Sequence, residues 1–414
     1  MSTVIEDVVL RKVFNSLGNP TIEVEVLTED GFGRVAAPSG SSRGRSEVVQ
    51  YPEGGVEEAI VRAEEEVVPE LIGMDADRQE SIDKLLHEID GTEDFHVIGG
   101  NTAFAISIAV AEAAADSYGI PLFQYLGGIL ATELPHPLGN VLGGGAHTHG
   151  KGTDIQEMLV IPVRADSFRE AVEANFAVHR RIRSLLEERD PAFSGGKGAE
   201  GAWTTNLSDT EALEVVKEAV DQVTDEMNVE CKMGLDIAAG TLWQPDKERY
   251  FYRKSGVSRT REEQMDFVMK MIEDYDVYYV EDPFHEEDYE SFRELTAAFK
   301  DRLICGDDLF VTNSERLKKG IAMEAANSII IKVNQIGTLT DAWVTVKTAK
   351  RAGYVPIVSH RSGETPYSHI AHLALAFGTP IIKTGVVGGE RVIKLNELVR
   401  IEELLGEEAK LAEI

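Results

Sequence analysis

Cysteine is almost absent from this chain of 414 residues, which contains only Cys231 and Cys305. Both lie in short apolar runs that predict buried strands, so a disulfide framework is excluded and a reducing compartment is favoured. The sequence also has no apolar run of about 18 residues, the length that a membrane-spanning helix needs. Its first residues, MSTVIEDVVLRK, show no signal-peptide pattern. We therefore expect a cytoplasmic protein with no membrane partner.

Positive charge is scarce as well. The chain carries 41 lysines and arginines against 72 aspartates and glutamates, which gives a formal net charge of −31. Such a charge repels polyanions, so we expect no nucleic acid among the partners. The hydrophobic content of 43% is ordinary for a globular enzyme. The length is sufficient for one large domain and a smaller one.

The first third of the chain predicts a small α+β domain. Apolar and polar residues alternate in three segments, as in half-buried antiparallel strands, and three segments with helical periodicity follow. A break containing two prolines at 133–137 ends this part, so we predict domains at 1–132 and 133–414. The predicted strands are 3–14, 21–29 and 32–38, and the predicted helices are 55–71, 77–89 and 101–117.

The rest of the chain predicts a parallel β/α barrel of the TIM type. Two strands flank the glycine-rich loop 143–152, two helices follow at 166–189 and 208–226, and short apolar segments then alternate with amphipathic helices. Parallel strands need long crossovers, and their C-terminal ends form the face where active sites lie. The predicted fold class is therefore α/β. The apolar segments end in polar residues, namely Asp236, Glu281, Asp307, Lys332, His360 with Arg361 and Ser362, and Lys383.

Three of these residues predict a metal site. Asp236, Glu281 and Asp307 offer hard oxygen ligands, which suit Mg²⁺ better than zinc or copper. One carboxylate at a strand end is often a helix cap, but three on consecutive strands favour a metal ion. Asp282 and Asp308 neighbour two of them and face the other way along each strand, so we interpret them as supporting residues.

The basic residues on the same face predict proton transfer and anion binding. Lys332 lies in the apolar segment SIIIKVN, and a buried lysine is costly unless it is paired or functional. We expect burial and nearby cations to lower its pKa, which would make it a general base; the alternative is a structural lysine that bridges the acids. We expect Lys383 either to neutralise one of the carboxylates or to assist Lys332 as a base. Arg361 and Ser362 suit a phosphate group.

Further candidates lie upstream of the alternating strands and helices. Glu157 closes a predicted strand, with Gln156 beside it. Glu200 lies in the glycine-rich loop SGGKGAEGAW, and long loops of this kind over a barrel are usually lids. An acid is needed opposite the base, which makes Glu200 a candidate. For His147 and His149 in GGGAHTHG, three interpretations stay open: a pair of metal ligands, a substrate contact, or simple exposure to solvent.

Several motifs resemble those of the enolase family in its archaeal form. They are MGLD, VEDPF, GDDLFVTN, IKVNQIGTLT, VSHRSGET and IKTG, and the similarity extends from NSLGNPTIEVEV to ERVIKLNELVRIEELLG. The resemblance implies an N-terminal α+β domain and a barrel whose first hairpin departs from the β/α repeat. It also implies Mg²⁺ dependence, assembly as homodimers or higher oligomers, and a glycolytic hydro-lyase reaction that converts 2-phosphoglycerate to phosphoenolpyruvate.

The same resemblance implies roles for individual residues. Lys332 matches the base that removes the C2 proton, and Glu200 matches the acid that helps the C3 hydroxyl leave. Two Mg²⁺ ions are expected, one bound tightly and one that arrives with the substrate and is helped by Ser42. The expected ligands of the first ion are Asp236, Glu281 and Asp307. The expected substrate contacts are Gln156, Glu157, His147 (with His149 as the alternative), His360, Arg361, Ser362 and Lys383.

Five positions near the expected lids depart from the family pattern. Arg43 replaces a neutral threonine beside Ser42, and Ala199 replaces an aspartate before Glu200. These changes keep two alternatives open, an enolase-like scaffold with weak or no activity and an enzyme that acts on a different acid. Arg361 and Ser362 count against the second, because they favour a phosphorylated substrate. The departing residues are Leu17, Arg43, Ala199, Pro366 and Tyr367.

Overall fold

The computed structural model describes residues 1–41 and 44–414. The predicted metal-binding residue Ser42 and the departure at Arg43 lie outside the described residues, so both stay predictions. Within these two ranges, the structure contains no helix with the length and apolar character needed to cross a membrane.

The first elements are a sheet and a group of helices, as the sequence pattern predicted. The strands are β1 (Ile5–Phe14), β2 (Pro20–Thr28) and β3 (Phe32–Ala36), and they pair antiparallel in the order β1-β2-β3. Alternation places Ile22, Val24 and Val26 of β2 in the core. The helices are α1 (Gly55–Arg62), α2 (Val68–Leu71), α3 (Gln79–Asp90), α4 (Gly100–Tyr118) and α5 (Leu122–Gly127).

Helix α4 covers the sheet and is buried over most of its length. Gly33 of β3 lets the strand approach α4 closely, since a Cβ on Gly33 would lie only 2.0 Å from the carbonyl oxygen of Ala109. The predicted helix 55–71 differs in one detail, because a π-helical segment at 63–67 separates α1 from α2. Pro69 lies two residues beyond this segment, and its ring and missing N–H disfavour the regular i→i−4 bonding at this point.

The remaining elements alternate between strands and helices. The strands are β4 (Glu133–Leu134), β5 (His136–Gly143), β6 (Glu157–Arg164), β7 (Glu230–Asp236), β8 (Trp243–Gln244), β9 (Arg249–Tyr252), β10 (Val257–Arg259), β11 (Val277–Glu281), β12 (Leu303–Gly306), β13 (Ser328–Ile331), β14 (Val355–Ser359), β15 (Ile381–Lys383) and β16 (Lys410–Leu411). The helices are α6 (Phe168–Arg189), α7 (Asp209–Met227), α8 (Arg261–Tyr275), α9 (Tyr289–Ala298), α10 (Ser314–Met323), α11 (Leu339–Arg351), α12 (His369–Ala376) and α13 (Gly389–Leu405).

Eight of these strands close a barrel in the order β11-β12-β13-β14-β15-β5-β6-β7. Strand β6 runs antiparallel to both β5 and β7, and the other neighbours are parallel. The predicted α/β class with a TIM-like barrel is therefore confirmed, including the departure at the first hairpin. Separate small pairings join β8, β9 and β10, and β4 with β16.

Local capping signals explain where two of the barrel helices begin. Ser208 precedes α7, and its hydroxyl oxygen accepts a hydrogen bond from the Glu211 N–H while the Glu211 carboxylate accepts one from the Ser208 N–H. Thr260 and Glu263 form the same reciprocal box before α8. Each box satisfies backbone N–H groups that the first helical turn leaves without partners.

Apolar and polar residues divide the barrel interior into two levels. One core cluster fills the interior with aliphatic and aromatic side chains. Polar residues follow at the C-terminal ends of the strands, which we call the barrel mouth. The residues of this core cluster include Leu138, Leu159, Ile161, Tyr279, Ile330, Ile357 and Ile381.

The loop after β3 packs onto the barrel mouth. Ser39 and Gly363 exchange two backbone hydrogen bonds of 2.8 Å, and the Asn334 side chain donates to the Pro38 carbonyl oxygen at 3.1 Å. We call residues 38–41 and 44–47 the lid segment. The Thr340 N–H also donates to the Asp83 carboxylate at 2.9 Å, which ties α3 to the start of α11.

The predicted boundary between the two domains, at residues 132 and 133, stays a prediction.

Candidate active site

The three predicted metal ligands lie side by side at the barrel mouth. Asp236 ends β7, Glu281 ends β11 and is its direct partner in the sheet register, and Asp307 follows β12. Asp236 and Glu281 are buried, and the Asp307 side chain is 13% exposed. The parallel neighbours and their aligned register bring these residues together, because residues at equal height on adjacent strands share a level of the barrel.

A buried lysine neutralises part of this acidic cluster. The Lys383 ammonium lies 2.7 Å from Glu281 Oε2, 3.1 Å from Asp236 Oδ2 and 3.3 Å from Glu157 Oε2. One lysine does not balance three carboxylates. Burial and the charge of Asp236 accordingly raise the pKa of Glu281 to about 7.

The chemistry of the three carboxylates fits a divalent cation, although among the described residues their oxygens do not all lie within 4.8 Å of one another, as they would around one ion. Asp236, Glu281 and Asp307 offer only carboxylate oxygens, which is the chemistry that Mg²⁺ prefers. The Oε1 atom of Glu281 is buried and has no hydrogen-bond partner among the described residues. A buried carboxylate oxygen without a partner is costly, and a cation would satisfy it. Asp282 supports the site as expected, since its carboxylate accepts from the backbone N–H groups of Asp307 and Asp308.

Lys332 is paired with a predicted metal ligand. Its ammonium donates to Asp307 Oδ2, and its side chain is 12% exposed. Burial lowers the pKa of this lysine, but the charges of the surrounding carboxylates, chiefly Asp307 and then Glu281, together raise it by more, so the pKa lies above its ordinary value. The expected lowering of the pKa is therefore wrong for this structure. The sequence showed the cations near Lys332 but not the direct contact with Asp307.

Glu200 reaches the same cavity from the glycine-rich loop. It is 4% exposed, and its Oε2 atom accepts a hydrogen bond from the Asn140 side chain at 3.1 Å. Gly201 allows the loop to turn here, because its φ is +80° and a Cβ would lie 2.1 Å from the Val387 carbonyl oxygen. Burial and the charge of Glu200 raise the pKa of nearby Glu157 well above its usual range. Two close buried carboxyls of this kind favour a shared proton.

The two histidines of the loop 143–152 have different positions. His147 is buried, with Nε2 3.5 Å from Glu200 Oε1 and Nδ1 3.9 Å from Glu157 Oε1. His149 is exposed and has a positive φ of 53°. The structure therefore brings His147 into the site and leaves His149 outside it. The two histidines are thus not placed to bind one metal ion together.

Arg361 and Ser362 are held by the lid segment. The Arg361 guanidinium forms an ion pair with Glu47, and the Ser362 hydroxyl accepts from the Ser41 N–H at 2.6 Å. One narrow cavity joins these residues with the others. Glu281 does not line this cavity but contacts Lys383, which does. The predicted site residues that line this cavity are His147, Gln156, Glu157, Glu200, Asp236, Asp307, Lys332, His360, Arg361, Ser362 and Lys383.

Sequence reasoning missed several polar residues around the cavity. Asn140 bonds Glu200, the Gln335 amide donates to Asp307 Oδ1 at 2.9 Å, and Glu47 pairs with Arg361. Arg391 of α13 is completely buried beside His360. Its signal was weak, since a charged residue in a helix is usually a solvated one.

Most of the departing residues lie outside the cavity. Leu17 is exposed, Pro366 is exposed, and the Tyr367 hydroxyl donates to Glu23 in the N-terminal sheet. Ala199 is half-buried, and its carbonyl oxygen accepts from Arg391 at 3.2 Å. Among the described departures, only Ala199 thus adjoins a predicted catalytic residue.

Comparison with known proteins identifies the family. A family model described as the N-terminal domain of enolase matches residues 5–126, and one described as the C-terminal TIM barrel domain of enolase matches residues 131–414. The enolase of Methanothermobacter thermautotrophicus is 56% identical over 404 residues, which cover 97% of each chain. The enolases of Methanosphaera stadtmanae and Pyrobaculum aerophilum are 55% and 49% identical and cover 98% and 99% of each chain. The chain belongs to the enolase family of hydro-lyases.

Proposed function

We propose that this protein is a Mg²⁺-dependent hydro-lyase that interconverts 2-phosphoglycerate and phosphoenolpyruvate. The observation that carries the proposal is a single cavity lined by Lys332, Glu200, Arg361 and Ser362. Dehydration of a phosphorylated acid requires a base at one carbon, an acid at the next and a group that binds phosphate. The names of the similar enolases support the same reaction.

In this mechanism the chain moves two protons and breaks two bonds to carbon. Arg361 and Ser362 bind the phosphate and thereby orient the substrate. Lys332 in its amine form takes the proton from C2, so the ammonium that pairs with Asp307 must first release a proton. The electron pair left at C2 becomes the C2–C3 double bond as the C3–O bond breaks. Glu200, a carboxylate in the free site, takes up the proton held by the neighbouring Glu157 carboxyl and passes it to the departing hydroxide, which leaves as water.

Fixed positive charge makes this proton removal accessible. Abstraction next to a carboxylate adds a second negative charge to that end of the substrate, and Lys383 is a buried cation at the same cavity. Mg²⁺, when bound, supplies further positive charge that stabilises the dianion. We propose Asp236, Glu281 and Asp307 as ligands of one ion. Ser42 is proposed to help bind a second.

The scaffold alternative does not explain why two charged lysines are buried at the barrel mouth. Lys332 and Lys383 lie inside a cluster of carboxylates, and removing such charges from water costs several kcal/mol per ion. Well-packed apolar residues would stabilise a scaffold at least as well. The resemblance further supports a role in glycolysis and gluconeogenesis, in the cytoplasm, as a homodimer or higher oligomer that binds a small phosphorylated substrate.

The test is an absorbance assay for phosphoenolpyruvate formed from 2-phosphoglycerate. We expect turnover with Mg²⁺, loss of turnover when a chelator removes it, and recovery when Mg²⁺ is restored. Glycerate without the phosphate serves as the matched substrate and should not react. No turnover at any Mg²⁺ or salt concentration would favour the scaffold, and equal turnover of glycerate would favour a different substrate class.

A further inference from the structure

Arg391, in the first turn of α13, is fully buried and bonds two loops of the active site. Its Nη1 atom donates to His360 Nδ1 at 2.7 Å and to the Arg361 carbonyl oxygen at 2.6 Å. Its Nη2 atom donates to the Ser362 carbonyl oxygen at 2.5 Å and to that of Ala199 at 3.2 Å. Every one of these partners is a predicted site residue or the immediate neighbour of one.

A second buried cation on the same helix provides a comparison. Lys394 lies one turn further along α13, donates to the Thr365 carbonyl oxygen at 2.8 Å and forms an ion pair of 2.6 Å with Glu364. Lys394 thus supports the same loop but contacts neither His360 nor the loop that carries Glu200. Both cations stabilise the loop after β14. Only Arg391 also contacts His360 and the residue that precedes Glu200.

The contact with His360 determines which ring nitrogen carries the proton. A guanidinium has donors and no acceptor, so the Nδ1 atom that it contacts must be the unprotonated, accepting nitrogen. A neutral imidazole then carries its proton on Nε2. That atom lies 3.3 Å from Glu200 Oε2, its nearest carboxylate oxygen, and has no hydrogen-bond partner among the described residues, so it is free to turn its N–H toward Glu200. Burial lowers the pKa of His360 to about 4, and the Arg391 charge acts in the same direction, so the ring is neutral near pH 7.

We propose that Arg391 is a positioning residue that holds His360 as the Nε2-protonated tautomer and thereby presents a donor to the Glu200 carboxylate. In the other tautomer, Nε2 would be an acceptor facing a carboxylate oxygen, and the two would repel. The bond from Arg391 to the Ala199 carbonyl restrains the residue before Glu200 in the same way. The consequence for turnover rests on the proposed function, in which Glu200 is the acid; the tautomer itself does not.

The direct test is ¹⁵N NMR of the unsubstituted protein labelled with ¹⁵N-histidine. His360→Gln assigns the resonances by removing one ring. We expect Nδ1 of His360 to show the shift of an unprotonated nitrogen and Nε2 that of a protonated one at neutral pH. A protonated Nδ1, in either the other tautomer or the doubly protonated ring, overturns the proposal. This measurement needs neither enzymatic activity nor a variant at position 391.

The second test compares Arg391→Met with Lys394→Met. We expect Arg391→Met to lose the Nδ1 signature and to reduce kcat by about 100-fold, the effect of misplacing a reacting group, with a smaller change in KM. Lys394→Met should lower the thermal midpoint yet retain the His360 tautomer. Equal loss of kcat in both variants with an unchanged tautomer would show that Arg391 is only structural. If the unsubstituted protein shows the tautomer but no turnover, the proposed function fails and the positioning role stands.

Discussion

Glu47 and Arg361 form a buried ion pair that joins the lid segment to the barrel mouth. Both Nη atoms of Arg361 lie 3.1 Å from carboxylate oxygens of Glu47, and the two side chains are only 4% and 3% exposed. Asn334 accepts a further hydrogen bond from Arg361 at 3.1 Å. The residue proposed to bind phosphate is therefore oriented by the segment that packs over the cavity.

Glu47→Ala should weaken both the fold and substrate binding. Removal of one partner of a buried pair leaves an uncompensated charge and typically costs about 3–5 kcal/mol. The freed guanidinium also loses its alignment, so we expect KM for 2-phosphoglycerate to rise more than kcat falls. Urea denaturation and steady-state kinetics measure the two effects. Glu53→Ala, at an exposed acid further along the chain, is the control, and equal behaviour of the two variants would contradict the coupling.

Replacement of Asp236, Glu281 or Asp307 by alanine should abolish Mg²⁺ binding and turnover. Each substitution removes a charged oxygen from a site that requires nearly octahedral geometry. Calorimetry measures the affinity directly. Asp83→Asn, which changes a buried carboxylate of α3 outside the cavity, should retain Mg²⁺ affinity. Unchanged affinity in all three alanine variants would show that the metal ligands are assigned wrongly.

Lys332→Ala and Glu200→Gln should separate the two proton transfers. The first variant should no longer exchange the C2 proton of 2-phosphoglycerate with deuterated water, because it lacks the base. The second should stop net dehydration and retain that exchange, since in the proposed mechanism proton removal precedes the loss of hydroxide. NMR follows the exchange and the absorbance assay follows dehydration. Exchange that survives in Lys332→Ala would exclude this lysine as the base.

His179 should make the protein less stable in acid. It stacks on Trp203 and lies 3.1 Å from the Gly201 carbonyl oxygen, and burial lowers its pKa to about 4. In the unfolded chain the pKa of a histidine is about 6.5, so between these values only the unfolded state binds the proton. The free energy of unfolding therefore falls as the pH decreases, by about 1.4 kcal/mol per pH unit for this residue.

His179→Gln should remove this contribution to the slope. Urea denaturation between pH 4 and pH 7 provides the free energy of unfolding at each pH. His149→Gln, which changes an exposed histidine near the same site, is the matched control. A slope that is equal in the unsubstituted protein and in His179→Gln would contradict the lowered pKa.

The departures Arg43 and Ala199 should raise the Mg²⁺ requirement. Arg43 places a positive charge beside Ser42 in the sequence, and like charges weaken the binding of a second cation. Ala199 removes a carboxylate next to Glu200. We expect Arg43→Thr combined with Ala199→Asp to lower the Mg²⁺ concentration for half-maximal rate or to raise kcat. A double variant with unchanged values would show that these departures are neutral.

Much of the barrel was predictable, because its signals are local and repeated. Short apolar segments that end in polar residues have the period of parallel strands and crossover helices, and β7, β11, β12, β13, β14 and β15 lie where that pattern placed them. The N-terminal strands and helices were likewise visible in alternation and in helical periodicity. The interruption at 63–67 was not predicted, because Pro69 marks a break in the regular helix but does not say what form the break takes.

The sequence by itself determined the set of chemical groups at the barrel mouth, because equal positions at successive strand ends must share one face. It did not determine which groups touch. No sequence pattern singled out Glu47 or Arg391, and only the packing of the lid segment and α13 buries them against Arg361 and His360. The backbone turn at His149 in the loop 143–152 determines that His147, and not His149, faces the cavity. The raised pKa of Lys332 depends on carboxylates brought close by the fold, above all Asp307, a residue 25 positions away. Pairings of this kind depend on distances of a few ångströms between distant segments, and only the tertiary structure sets those distances.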